Sequence, residues 1–197
     1  MRRPTPDELA SAVGRTIVDV LAPGLDVVFC GINPGLYSGA VGHHFARPGN
    51  RFWPVLHRSG FTPRQLSPDE ERELLSYGLG VTNICARTTA RADELTTDEI
   101  RDGARRLRRK IRRHRPRWLA VLGLTAYRVA FDAPDAEVGE QPLMVADTRI
   151  WLLPNPSGLN AHYQMDALVY AFTELRRCAS NQAATRSEAG PTKPSWS

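Results

Sequence analysis

Apolar runs alternating with capped helical segments predict one α/β domain, a three-layer α/β/α arrangement around a mainly parallel central sheet. Three observations carry that prediction. Short apolar runs bounded by turn residues have the length and make-up of strands. The stretches between them carry helix-start signals and apolar stripes at helical spacing. Two of the strand-like runs end in turns of the same shape, Gly31-Ile32-Asn33-Pro34-Gly35 and Leu153-Pro154-Asn155-Pro156-Ser157-Gly158-Leu159. In parallel sheets ligands sit beyond the carboxyl ends of the strands, so two such turns point to one shared cleft.

Along the chain, Thr5-Pro6-Asp7-Glu8 is a capping box with proline at the first helical position, and it predicts a helix that Pro23-Gly24 stops. The first strand starts at Asp26 and runs through Val27-Val28-Phe29-Cys30. Residues 50–59 read as a short helix, Ser67-Pro68-Asp69-Glu70 caps another that ends at Gly78, and residues 79–85 read as the second strand. Thr96-Thr97-Asp98-Glu99 caps a long helix with Ile100, Ala104, Leu107 and Ile111 on one face, followed by a strand over 118–122 and a helix over 123–131. Leu143-Met144-Val145 and Ile150-Trp151-Leu152 read as a strand pair, and Met165, Leu168, Val169, Phe172 and Leu175 form the stripe of a last helix. The domain is expected over residues 1–178. From Ala179 onward the polar, aperiodic chain cannot bury enough surface to order itself, which predicts a disordered tail over 179–197.

A chain of 197 residues with 42% apolar side chains can fill one hydrophobic core. Its net charge of +5 favours a polyanionic partner. The run Arg105-Arg106-Leu107-Arg108-Arg109-Lys110-Ile111-Arg112-Arg113 reads first as the solvated face of a helix, since its leucine and isoleucine turn inward. Cys30, Cys85 and Cys178 stand far apart without C-x-x-C spacing, so no disulfide framework and no zinc or iron–sulfur site is indicated, and no cofactor or metal is expected. No apolar stretch is long enough to span a membrane, and Pro, Asp and Glu stand near the N-terminus where a signal peptide needs an apolar core. A cytoplasmic monomer with no membrane partner is expected.

At the first turn, two glycines allow close backbone approach to a ligand and Pro34 fixes φ, leaving one amide side chain, Asn33, between them. That amide is no general base at neutral pH, but its carbonyl can accept a bond from water and hold it in place. Cleavage of a nucleoside N-glycosidic bond tolerates so weak a nucleophile, because a cationic sugar develops before water attacks and the departing base carries the negative charge. Backbone N–H groups across residues 32–35 could stabilise that charge. Neither turn holds a carboxylate pair, which argues against ordinary glycoside hydrolysis.

These residues closely resemble the mismatch-specific uracil-DNA glycosylases and the related thymine-DNA glycosylases. The likeness extends through Gly42-His43-His44-Phe45, Pro48-Gly49-Asn50-Arg51-Phe52-Trp53, Val81-Thr82-Asn83 and Arg87-Thr88-Thr89, covering about residues 21–175. It implies a uracil-DNA glycosylase-like fold and a pyrimidine flipped into the cleft, with Asn33 positioning the attacking water. Phe45 matches the aromatic on which the family stacks the base, Ile32 and Phe45 would offer backbone groups to the base edge, and Ser38, His44 and Asn83 match positions that line the pocket. Ser157, Gly158 and Leu159 would enter the duplex, Leu159 as an apolar wedge and Gly158 letting the backbone approach the unpaired guanine. The implied partner is double-stranded DNA containing uracil mispaired with guanine, since a wobble pair costs less to open than a Watson–Crick pair. Taken alone, Phe45 reads as a core aromatic, His43-His44 as a loop pair and Ser157-Gly158-Leu159 as an ordinary loop. Phe52 and Trp53 read as packing residues.

Two departures qualify the resemblance. Asn160-Ala161 stands where bacterial relatives often carry arginine two positions after the wedge leucine, and Asn83 stands where some have lysine. Asn83 and Gly42-His43-His44 lie closer to the thymine-acting branch. The only lysines, Lys110 and Lys193, are remote from the motifs, so hydrolysis without lyase chemistry is expected. The alternative is a non-catalytic nucleic-acid- or nucleotide-binding α/β module. A mononucleotide site at residues 31–35 lacks the lysine and hydroxyl of a P-loop and ranks last.

Overall fold

The computed structural model describes residues 2–158, 160 and 163–188. Strands β1 (Val27–Gly31), β2 (Leu79–Asn83), β3 (Trp118–Leu122), β4 (Gly139–Val145) and β5 (Thr148–Leu153) form one sheet in the order β2-β1-β3-β5-β4. All neighbours pair in parallel except β4 and β5, a hairpin at one edge. The helices are α1 (Pro6–Ala10), α2 (Leu36–Val41), α3 (Phe52–Arg58), α4 (Thr97–His114), α5 (Leu124–Phe131) and α6 (Met165–Glu188), with 3-10 segments at Pro68–Tyr77 and Ala92–Glu94.

The three layers follow from period-two burial in the strands. Val27, Phe29, Val81, Ala120, Leu122, Trp151 and Leu153 pack on one face with Phe52, Val55 and Leu56 of α3 and Leu168, Phe172 and Leu175 of α6. Val28, Cys30, Leu119, Val121, Ile150 and Leu152 pack on the other with Ala104, Leu107 and Ile111 of α4 and Tyr127 and Phe131 of α5. Phe52 and Trp53 are core residues, as expected. Beside β1 lie β2 on one side and β3 on the other, so the connections leave the sheet in opposite directions there. A crevice opens at such a switch point, at the carboxyl ends of the strands.

Local signals place most elements well. The capping boxes at Thr5, Ser67 and Thr96 are all formed, and β3 has the expected bounds. The segment after Ser67 is 3-10 rather than α-helical. The first helix, expected to reach Pro23-Gly24, stops at Ala10. Residues beyond it are taken by long-range pairing instead: Gly14 N–H donates to Thr88 O (3.1 Å), Thr88 N–H donates to Arg15 O (2.8 Å), and Val20 and Val81 exchange two bonds of 2.9 Å. α2 was not anticipated; it has no side-chain cap and ends on Gly42 at φ 80°. α6 continues to Glu188, into the segment expected to be a tail, where Ala, Gln and Arg have high helix propensity. Residues 189–197 lie outside the described residues.

The basic run lies on α4, with Leu107 and Ile111 buried and Arg105, Arg106, Arg109, Arg112 and Arg113 exposed. The C-terminal end of α4 meets the amino ends of the strands, where Gly24 N–H donates to His114 O and Arg117 N–H donates to Leu25 O. The C-terminal end of the run therefore lies at the end of the sheet away from the crevice, and none of its residues lines the cleft. Among the described residues no helix is long and apolar enough to cross a membrane.

Candidate active site

A cleft of about 640 Å³ opens at the carboxyl ends of β1, β2, β3 and β5. Both sequence motifs border it. Ile32, Asn33, Ser38, His44, Phe45, Asn83 and Ser157, all expected at the site, line this one cavity although they come from five separate stretches of chain. Leu159 and Ala161 lie outside the described residues.

The first turn is held by the strand beside it. Gly31 O accepts from Ile84 N–H and Ile32 O accepts from Cys85 N–H, both at 2.9 Å, and Pro34 O accepts from Thr89 N–H at 3.2 Å. The Ile32 carbonyl is thus engaged within the protein. Asn33 is fixed more closely still. Its Nδ2 donates to Pro34 O at 3.2 Å, Arg87 O at 3.1 Å and Thr89 Oγ1 at 2.7 Å. Thr89 in turn donates its hydroxyl proton to Arg91 O at 2.6 Å, so its oxygen accepts from Asn33. Backbone carbonyls can only accept, which forces the amide nitrogen toward the protein and turns Oδ1 away from it, toward the cleft. Oδ1 is therefore a pre-oriented acceptor, the arrangement that holds a water by its O–H. Arg87-Thr88-Thr89 had no role assigned from sequence; only the fold brings Thr89 back to residue 33.

The pocket wall is built around Gly31, Phe45 and Asn83. Register pairs Gly31 with Asn83, and Asn83, 6% exposed, turns its amide into the space a Cβ on Gly31 would need, 2.5 Å from Oδ1. The Phe45 ring comes within 3.2 Å of that same point and packs on Phe52 with centroids 4.1 Å apart. Phe45 holds φ at 53°, a left-handed conformation unusual for a large side chain, and Ser38 Oγ accepts from the next N–H, of Ala46, at 3.1 Å. Gly31→Ala is expected to displace the Asn83 amide and the Phe45 ring while leaving the fold intact. The resonances of the Asn83 amide and the Phe45 ring should move in the variant, while those of core residues remote from Gly31 stay in place.

Glu71, from the 3-10 segment, stands behind His44, which lines the pocket. Its Oε1 lies 3.0 Å from His43 Nδ1, and Oε2 lies 2.9 Å from His44 Nδ1 and accepts from His44 N–H at 2.8 Å. Burial, the largest single influence, pushes the carboxyl up, but the bonds from the His44 ring, the His44 N–H and the His43 ring together hold it below its ordinary value. An ionised carboxylate only accepts, so both Nδ1 atoms carry their protons and donate. His44 is 1% exposed, and its Nε2 is buried with no partner among the described residues. The tautomer set by Glu71 makes Nε2 the ring atom available to a ligand. Sequence reading missed Glu71, whose partners lie 27 and 28 residues earlier in the chain.

The second turn is also organised from within. Asn155 Oδ1 accepts from Ser157 N–H at 3.0 Å, and Asn160 Nδ2 donates to Asn155 O at 2.9 Å. A Cβ on Gly158 would fall 2.5 Å from Gly49 O, so this glycine lets the turn lie on the chain ahead of α3. Lys110 is bonded to Asp19 at 2.6 Å and Thr82 at 3.2 Å and does not line the cleft. Lys193 lies outside the described residues. On the rim, Arg47 supplies positive charge, while Arg91 is paired with Asp93.

A family model described as the uracil DNA glycosylase superfamily matches residues 18–177. Among solved structures the chain is similar to the solution NMR structure of a candidate uracil DNA glycosylase from Methanosarcina acetivorans. The two share 15% identity at a TM-score of 0.57, over 83% of this chain and 99% of that one. At such identity the likeness speaks to the fold.

Proposed function

Because this chain belongs to the uracil DNA glycosylase superfamily, we propose that it is a monofunctional DNA glycosylase that hydrolyses the N-glycosidic bond of uracil mispaired with guanine, in base excision repair. The observation that carries this reading is the Asn33 amide, its nitrogen committed to Pro34, Arg87 and Thr89 and its oxygen turned to the cleft. In this reading the uracil leaves the duplex and stacks on Phe45, with the Asn83 amide and His44 Nε2 at its polar edge. The bond from C1′ to N1 breaks with its electron pair going to the base, which departs as an anion. The water held by Asn33 Oδ1 adds to C1′ and releases its proton to solvent. No amine nucleophile stands in the cleft among the described residues, which supports hydrolysis alone.

Ser157, Gly158 and Leu159 take the place of the departed base, with the apolar Leu159 as wedge. The partner is double-stranded DNA, bound by a monomer in the cytoplasm. The net charge of +5 supports such a partner. Single-turnover base release from matched duplexes carrying G·U, A·U or G·T, and from single-stranded U, tests the assignment. Release should be fastest from G·U, and any G·T signal extends the range to thymine. Equal rates from G·U and A·U would remove the mismatch preference. Binding without release from any substrate would favour the non-catalytic module.

A further inference from the structure

Arg51 stands at the start of α3, yet its polar contacts are with the second turn, more than a hundred residues later. Its N–H and Nε both donate to Pro156 O, at 3.0 and 3.3 Å. Nη1 donates to Tyr163 O at 2.5 Å, and Nη2 donates to Ser157 O at 2.5 Å and to Asn160 O at 3.0 Å. One planar fork thus gathers four carbonyls from both limbs of a single loop, and no carboxylate is paired with it among the described residues. Beside it the missing Cβ of Gly158 admits Gly49 O, so the same loop is seated on the chain just ahead of Arg51.

A guanidinium is suited to this task. It holds five N–H donors in a fixed plane and stays charged throughout the working pH range, whereas a lysine ammonium is a flexible point charge that cannot span both limbs. A loop that must replace a base inside a duplex gains most from being ordered before it meets DNA, since ordering it on binding would cost affinity. We propose that Arg51 is the positioning residue of the duplex-entering loop, latching its two limbs to α3 so that Ser157 and Gly158 meet the DNA in a preset conformation. The inference rests on the reading of that loop as the element that enters the duplex. Arg51 does not touch the base or the water.

The test is the affinity of the intact protein for a duplex carrying a tetrahydrofuran abasic analogue opposite guanine, divided by its affinity for the same duplex undamaged. Arg51→Lys and Arg51→Gln are compared with the parent, with melting temperatures and circular dichroism alongside. The latch predicts that the ratio falls about tenfold in both variants as the loop loses its preset shape, while the fold is retained. A residue that served only to stabilise the fold would lower the melting temperature and leave the ratio of the folded protein unchanged, and that result overturns the proposal. Loss of folding in both variants assigns Arg51 to the fold and overturns it too. A parent with no preference for the abasic duplex instead refutes the duplex-entering loop itself, and the latch with it.

Discussion

Asn33→Ala should lower single-turnover base release from a G·U duplex by about a thousandfold, while affinity for an abasic-analogue duplex stays within about threefold of the parent. The asymmetry follows from where the amide points. Its nitrogen is committed to Pro34 O, Arg87 O and Thr89 Oγ1, so the wall of the cleft loses three contacts, but only the oxygen is turned to the cleft. In the proposed mechanism, removing it leaves the attacking water without its acceptor. Asn33→Asp sharpens the reading. The carboxylate keeps an oxygen toward the cleft but sets another against the Pro34 and Arg87 carbonyls, where a donor is needed, so it should recover little of the lost rate. Parent-like rates for both variants would take Asn33 out of the mechanism.

Glu71→Ala has the largest expected effect on stability. The carboxylate satisfies two imidazole Nδ1–H groups and the His44 N–H in a region where Glu71 and His44 are both buried. Deleting one partner of a buried charged network strands the others, at a cost of about 3 kcal/mol, or roughly 9 °C in melting temperature for a chain of this size. The same group sets an acid limb. Its folded value lies below the ordinary 4.5, so the unfolded chain takes up the proton first as pH falls. The stability it contributes is present in full above pH 4.5 and fades as pH drops toward the lower folded value. Denaturant melts from pH 7 down to pH 3 should show that loss in the parent and a flatter acid limb in Glu71→Gln. Identical limbs would mean that Glu71 does not stay ionised in the fold.

The fold was legible wherever its causes are local. Thr5, Ser67 and Thr96 start helices through bonds three residues away, and the five apolar residues of β3 carry its full extent. The same local signals overran at α1, because the residues after Ala10 are claimed by Val81 and Thr88, which no short window contains. They fell short at α6, where the helix continues beyond the apolar stripe that ends at Leu175. The candidate site divides along the same line. Asn33 and the lining residues stand in motifs whose glycine and proline punctuation is visible in one dimension. Their supports are not: Thr89 reaches Asn33 across 56 residues, Glu71 reaches His44 across 27, and Arg51 reaches Pro156 across 105. Arg51 and Thr89 stand in motifs that carry the resemblance but without an assigned role there, and Glu71 stands in none. What identifies each is a side-chain bond to a distant amide, ring or backbone group, which only the folded chain creates.

Free uracil in solution is the most direct evidence for the chemistry assigned to this cleft. With protein in excess over a G·U duplex, the small-molecule fraction, separated by chromatography, should contain one uracil for each alkali-labile site formed. The strands should stay intact until alkali is added. A duplex that is bound yet recovered whole, with no uracil released, would contradict the glycosylase and leave a nucleic-acid-binding module in its place.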